Sequence, residues 1–128
     1  MDQSPERAYG PHLTVDAYGC PRDSLGDLGA AFEFLDRLPE IIEMEKITKP
    51  HVFRHKSAPD PDWGITGVVI IATSHISIHT YPERGIVFMD TFSCREFDEQ
   101  KAIAFFNEIF KPERSDVNVT RRGLSFYC

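Results

Sequence analysis

The sequence predicts an α+β fold: a two-layer arrangement of an antiparallel sheet with two helices on one face, the other sheet face being covered in a dimer. Strand-like segments cluster in the middle of the chain, and two amphipathic helical segments flank them. A chain of 128 residues holds no further element to cover the second sheet face, so a second copy is expected there. The same length fits a single domain over residues 1–128. Ten phenylalanines in a chain that is 41% hydrophobic predict an aromatic-rich core.

Residues 1–9 are polar and are expected to be loosely held. His12 to Tyr18 alternates and predicts the first strand, ended by Gly19. Pro21-Arg22-Asp23 opens a helix on which Leu28, Ala31, Phe32, Leu35 and Leu38 share a face, and Pro39 is expected to stop or kink it. Ile47 to Arg54 predicts a strand, and the Pro- and Gly-containing stretch from Lys56 to Gly64 a loop. Gly67 to Ile71 is short, apolar and β-branched, as a buried strand is. Ser74 to Tyr81 alternates, with Ile76, Ile78 and Thr80 on one face and His75, Ser77, His79 and Tyr81 on the other. A turn over Pro82 to Gly85 leads to a strand over Ile86 to Phe92. Asp98 caps a second helix with Ala102, Ile103, Phe106, Ile109 and Phe110 on its buried face, and Val117 to Arg121 forms the last strand.

Charge and composition narrow the function. The net charge is −6 without a long basic run, which argues against a nucleic-acid partner and favours cationic small ligands. No apolar run is long enough to span a bilayer, and the N-terminus lacks the order of a signal peptide, so no membrane role and a cytoplasmic location are expected. Three cysteines, Cys20, Cys94 and Cys128, leave at least one free thiol.

The chemistry concentrates in Ile71 to Gly85 and Asp90 to Cys94. Centring the turn between Glu83 and Arg84 pairs positions whose numbers sum to 167, which sets Ser74 against Ser93 and Thr73 against Cys94. A serine nucleophile and a free thiol then share one end of a hairpin, with the His79 imidazole along the strand. His75 and His79 have a spacing that suits a shared metal only on a helix. On a strand they stand roughly 13 Å apart, so no metal site is expected. A Gly-x-Ser-x-Gly elbow is absent, which argues against a serine hydrolase.

Ser74-His-Ile-Ser-Ile-His-Thr-Tyr-Pro-Glu83, followed by Asp90-Thr-Phe-Ser-Cys94, closely resembles the core motif of prokaryotic S-adenosylmethionine decarboxylases, small pyruvoyl enzymes of polyamine synthesis. The resemblance runs from about Pro11 to Gly123 and includes His12-Leu13 and Gly64-Ile-Thr-Gly-Val-Val69. It implies self-cleavage between Thr73 and Ser74, with Ser74 becoming the pyruvoyl cofactor. By position, His79 assists processing, Thr66 is the hydroxyl residue that helps it, and Cys94 is the proton donor during decarboxylation. Tyr81 and Glu83 fall at the places of an aromatic stacking residue and a ribose-binding acid, and Ile71 at that of an apolar adenine contact. A thiol that donates a proton is expected to keep a pKa that is not low.

The sequence departs from the family pattern at two places. Thr73 stands where the family has Glu before the cleaved serine, and the loop before Gly64 carries Asp60, Asp62 and Trp63 without the usual aromatic. Trp63 is a candidate face for a sulfonium or adenine, and equally a loop-packing residue. Asp60 and Asp62 leave open a pyruvoyl-dependent arginine or ornithine decarboxylase, in which they would grip a basic substrate, as well as a plain solvated loop. Thr73 leaves open an uncleaved, non-enzymatic homologue that binds or regulates a partner.

Overall fold

The structure is a computed structural model that describes residues 9–126. Its elements run β1 (Gly10–Tyr18), α1 (Arg22–Leu25), α2 (Leu28–Ile41), β2 (His51–His55), β3 (Gly64–Ile71), β4 (Ser74–Tyr81), β5 (Ile86–Phe92), α3 (Glu99–Phe110) and β6 (Arg114–Arg122). The strands form one six-stranded sheet in the order β2-β3-β4-β5-β1-β6, antiparallel at every pairing. The expected α+β class is the observed one.

Alternation builds the layers. Leu13, Val15 and Ala17 of β1, Ile65 and Val69 of β3, Ile76 and Ile78 of β4, and Val87 and Met89 of β5 are buried and face the helices. The intervening residues face the opposite way, where Ile70 and Phe88 stay exposed. Asp98 caps α3 by accepting from the Lys101 N–H at 3.2 Å, as its position predicts. Phe34 of α2 meets Phe105, Phe106 and Phe110 of α3 at ring separations of 5.7, 5.8 and 5.4 Å, the aromatic core that the composition predicts.

Several sequence expectations are corrected. The first helical segment breaks near Gly26 into a single turn and a longer helix, so helices number three, not two, among the described residues. The face of α2 is rotated: Ala31, Phe34, Leu35 and Leu38 are buried, whereas Leu28 and Phe32 are partly exposed, because α3 lies against the Phe34 side. Pro39 does not stop α2, which runs on to Ile41; the ring removes one donor near the C-terminus, where few helical bonds remain to be lost. On α3, Phe105 is buried with Ala102, Phe106 and Phe110, while Ile103 and Ile109 are only partly buried. Strand β2 begins at His51, not Ile47, and β1 and β6 are longer than their patterns indicate. Tyr9 is anchored by its N–H to the Gly123 carbonyl at 3.2 Å, contrary to the expected loose start; residues 1–8 and Cys128 lie outside the described residues.

Phe34→Ala is expected to destabilise the protein by about 3–5 kcal/mol, because it empties the centre of this cluster. Urea unfolding followed by circular dichroism measures it.

Candidate active site

The hairpin joining β3 to β4 turns on two residues, Ala72 and Thr73, with Ile71 paired to Ser74. Thr73 has φ of 55°, in the left-handed region. A β-branched residue there is strained, at a cost of about 1–3 kcal/mol. The strained residue lies directly before Ser74.

Three donors gather on the Ala72 carbonyl: Thr73 Oγ1 at 2.7 Å, Ser74 Oγ at 3.2 Å and Cys94 Sγ at 3.7 Å. The Cys94 N–H donates to Ser74 Oγ at 3.0 Å. This contact follows from the β4–β5 register, which pairs His75 with Phe92 and Tyr81 with Ile86, sums of 167 as the sequence predicts. Ile71, Met44, Glu45 and Arg95 complete an open cavity of about 280 Å³ around Thr73, Ser74 and Cys94.

The two described thiols differ. Burial pushes Cys20 up to about 11. Burial also raises Cys94, but hydrogen bonds with Thr73 and Ser74, its own N–H and the Arg95 charge outweigh it and hold the thiol below its ordinary value. In the uncleaved chain the Thr73 and Ser74 hydroxyls thus favour the Cys94 thiolate.

The structure does not bring His79 to Ser74. They are five positions apart on β4, so their side chains leave opposite faces and lie roughly 16 Å apart along the strand. His79 Nδ1 instead lies 3.1 Å from Thr66 Oγ1 on the open sheet face, because register sets the two opposite each other.

A third group forms at the far end of β4. Glu83 Oε1 accepts from Arg22 Nε at 2.9 Å, Arg22 Nη2 at 2.6 Å and Trp63 Nε1 at 3.0 Å. Its Oε2 accepts no side-chain hydrogen bond among the described residues. The Arg22 bond, with that from Trp63, holds the Glu83 carboxyl below the usual range. Tyr81 is half-buried and meets Phe88 edge-on at 6.1 Å. Trp63 is 5% exposed, wedged against Gly26, with the guanidinium groups of Arg22 and Arg54 over its ring at 5.7 and 5.2 Å. It is buried at the end of the loop that precedes β3. Asp60 Oδ1 accepts the Asp62 N–H at 2.9 Å, and Asp62 pairs with Arg84 at 2.7 Å.

Sequence reasoning missed several contacts. Arg22 orients Glu83, and the Tyr9 hydroxyl donates to the Thr73 carbonyl at 3.0 Å. On the open face, His12 Nε2 lies 2.7 Å and His75 Nε2 3.4 Å from Asp90 Oδ2, while Ser77 donates to Asp90 Oδ1. The two imidazoles flank Phe92 in one row of the sheet and lean over it toward Asp90. Arg122 Nη1 lies 3.3 Å from His12 Nδ1. Donor atoms of His12, His75 and Asp90 all lie within 4.8 Å of one another. The carboxylate that organises them had no signal in local periodicity.

Fold and site together define a class: a two-layer α+β domain with a serine–cysteine pair at a strained hairpin turn. The chain belongs to the S-adenosylmethionine decarboxylase family, whose family model matches residues 11–123. It is 34% identical to an S-adenosylmethionine decarboxylase proenzyme of Clostridium botulinum (strain Loch Maree / Type A3) over 115 residues, covering 89% of this chain and 94% of the relative. A proenzyme of the same name from Brevibacillus brevis is 36% identical over 117 residues, covering 91% and 84%. The crystal structure of the adenosylmethionine decarboxylase from Aquifex aeolicus superposes with a TM-score of 0.78 at 30% identity, covering 91% of this chain and 92% of that one.

Burial alone would raise the Asp90 carboxyl, but the Ser77 and His12 hydrogen bonds and the His75 charge prevail and lower it. A lowered folded pKa contributes stability that is present above the unfolded value and is lost as pH falls through the folded one. Asp90→Asn is expected to cost about 1–3 kcal/mol at neutral pH. The gap from wild type should close in acid, below the usual carboxylate range, as urea midpoints across pH will report.

Proposed function

We propose that this protein is a pyruvoyl-dependent S-adenosylmethionine decarboxylase that cuts itself between Thr73 and Ser74 and works as a cytoplasmic homodimer. The observation that carries the reading is the turn: a strained peptide whose next residue offers a hydroxyl, held by the backbone of the cysteine beside it. Family membership and the proenzymes among the relatives support it. The free thiols of Cys20 and Cys94 suit a reducing compartment, and no helix is long and apolar enough to cross a membrane.

Ser74 Oγ adds to the Thr73 carbonyl carbon, and the C–N bond breaks with the proton passing to the Ser74 nitrogen, which turns the peptide into an ester. Strain at Thr73 is released in that step. A base then removes the Ser74 α-proton, the Thr73 carboxylate leaves, and water replaces ammonia to leave a ketone. The turn fits this product: conversion consumes the Ser74 hydroxyl beside Cys94, and the cavity leaves room for the reacting end of a substrate. The pyruvoyl group supplies an electron sink for the electrons left by CO₂. Losing the Ser74 hydroxyl also removes one of the bonds that lower the Cys94 pKa, which favours the protonated thiol needed to return a proton to carbon.

The base is His79, with Thr66 beside it, and the separation within one chain makes a second copy necessary. The helices cover one sheet face, and the open face carries Thr66, His79, Ile70 and Phe88. Stacking two such faces gives each Ser74 turn an imidazole from the other copy. Tyr81 and the triply held Glu83 lie at the same end of β4 as His79. They would serve the adenosyl part, with Glu83 Oε2 accepting from ribose hydroxyls and Ile71 offering an apolar contact beside Ser74.

Purified protein should give fragments 1–73 and 74–128 by intact mass, and CO₂ from S-adenosylmethionine. Ser74→Ala should do neither, and Cys94→Ala should cleave yet lose most turnover. A wild-type chain that stays whole defeats the proposal. Thr73→Gly should cleave about tenfold more slowly, since glycine removes roughly 1–1.5 kcal/mol of strain at positive φ. Co-expressing His79→Ala with Ser74→Ala should restore cleavage of the His79→Ala chain; cleavage of that variant alone at the wild-type rate would end the shared-site reading.

A further inference from the structure

We infer that Tyr9 is a catalytic residue of the self-cleavage step, its hydroxyl donating to the oxygen of Thr73 as that oxygen takes negative charge. The inference rests on the self-cleavage reading and adds a participant from the same chain. When Ser74 Oγ bonds to the Thr73 carbon, the carbonyl π pair moves onto the Thr73 oxygen. A preplaced O–H at that oxygen stabilises the charge without reorganisation. When the C–N bond breaks, the pair returns to re-form the carbonyl, now of the ester, and the proton from Ser74 Oγ ends on the freed Ser74 nitrogen. Tyr9 keeps its own proton throughout, so the step balances without any co-reactant.

The geometry is specific. Tyr9 Oη lies 3.0 Å from the Thr73 oxygen, the atom that becomes the oxyanion. Thr66, the hydroxyl residue of the expected processing set, is occupied with His79 on the open face. The phenol is also held where it is. The Tyr9 N–H donates to the Gly123 carbonyl at 3.2 Å. Its ring meets that of Phe92, tilted, at 5.7 Å and that of Phe126, edge-on, at 5.0 Å. Gly123, at φ of 68°, admits this packing, since a Cβ there would stand 2.4 Å from Tyr9 Cβ. Gly10 does the same at the next residue: a Cβ would stand 1.9 Å from the Ser93 carbonyl oxygen, so its absence lets β1 start against the Ser93–Cys94 segment. The tilted and edge-on ring contacts and both glycines thus aim one donor at the scissile carbonyl.

Tyr9→Phe removes the donor and keeps the ring. Freshly synthesised precursor, followed by intact mass, should cleave about 100-fold more slowly than wild type, the order for loss of one oxyanion donor. Its CO₂ release per cleaved chain should match wild type, because the Thr73–Ser74 bond no longer exists in the mature enzyme, and its melting temperature should fall by no more than the loss of one hydrogen bond allows. Hydroxylamine, which cuts an ester, should release no extra fragments from the Tyr9→Phe precursor, whereas His79→Ala should accumulate hydroxylamine-sensitive ester. Cleavage of Tyr9→Phe at the wild-type rate overturns the inference. So does ester build-up in Tyr9→Phe, which would place its action after the attack, or slowing that merely tracks a lost melting temperature. If wild type itself stays uncut, the self-cleavage reading fails first; if wild type cuts and Tyr9→Phe keeps pace, only the role of Tyr9 falls.

Discussion

The two-residue turn at Ala72–Thr73 is the constraint on which the rest of this structure depends. Closing β3 onto β4 in two residues pairs Ile71 with Ser74 and forces Thr73 to positive φ. It also aims the hydroxyls of Thr73 and Ser74 and the thiol of Cys94 at one carbonyl, that of Ala72. A longer loop would relax Thr73 and free Ser74 from the Cys94 N–H. The strain is kept because the turn is clamped from both sides. Ladder bonds of β3 and β4 hold its ends, and Tyr9 and Cys94 hold its polar groups.

Strand alternation then sorts the chemistry. Even-numbered residues of β4 enter the core with Ser74, and odd-numbered ones, His75 to Tyr81, enter the open face. An odd spacing between Ser74 and His79 therefore puts nucleophile and imidazole on opposite sides of one sheet. Moving either residue by one place would put both on one side, still a long way apart along the strand. The sheet so built is half of a site twice over, which is why the proposed function needs two copies.

The open face is polar and apolar at once. Phe92 underlies His12, His75 and Arg122, and Asp90 ties the two imidazoles together. Such a network tolerates burial because its polar groups satisfy one another. Exposed Ile70 and Phe88 on the same face supply the apolar area that association would bury. Arg22 and Trp63 work in the same manner at Glu83, fixing one carboxylate oxygen with three N–H groups.

The sequence by itself determined the α+β class, the alternation in β4 and the hairpin register of β4 with β5. All three depend on neighbours along the chain: side-chain period, turn residues and strand length. Register carried the pairing of Ser74 with the Cys94 end of β5, so this part of the site was legible. The rotation of α2 onto Phe34 was not, because several apolar faces of that helix compete and only α3 selects one. Nor were the contacts of Tyr9 with Thr73, Arg22 with Glu83 and His12 with Asp90, which join residues 64, 61 and 78 positions apart. Local periodicity states which face a side chain leaves from; which distant group waits there is settled only when the sheet and helices have packed.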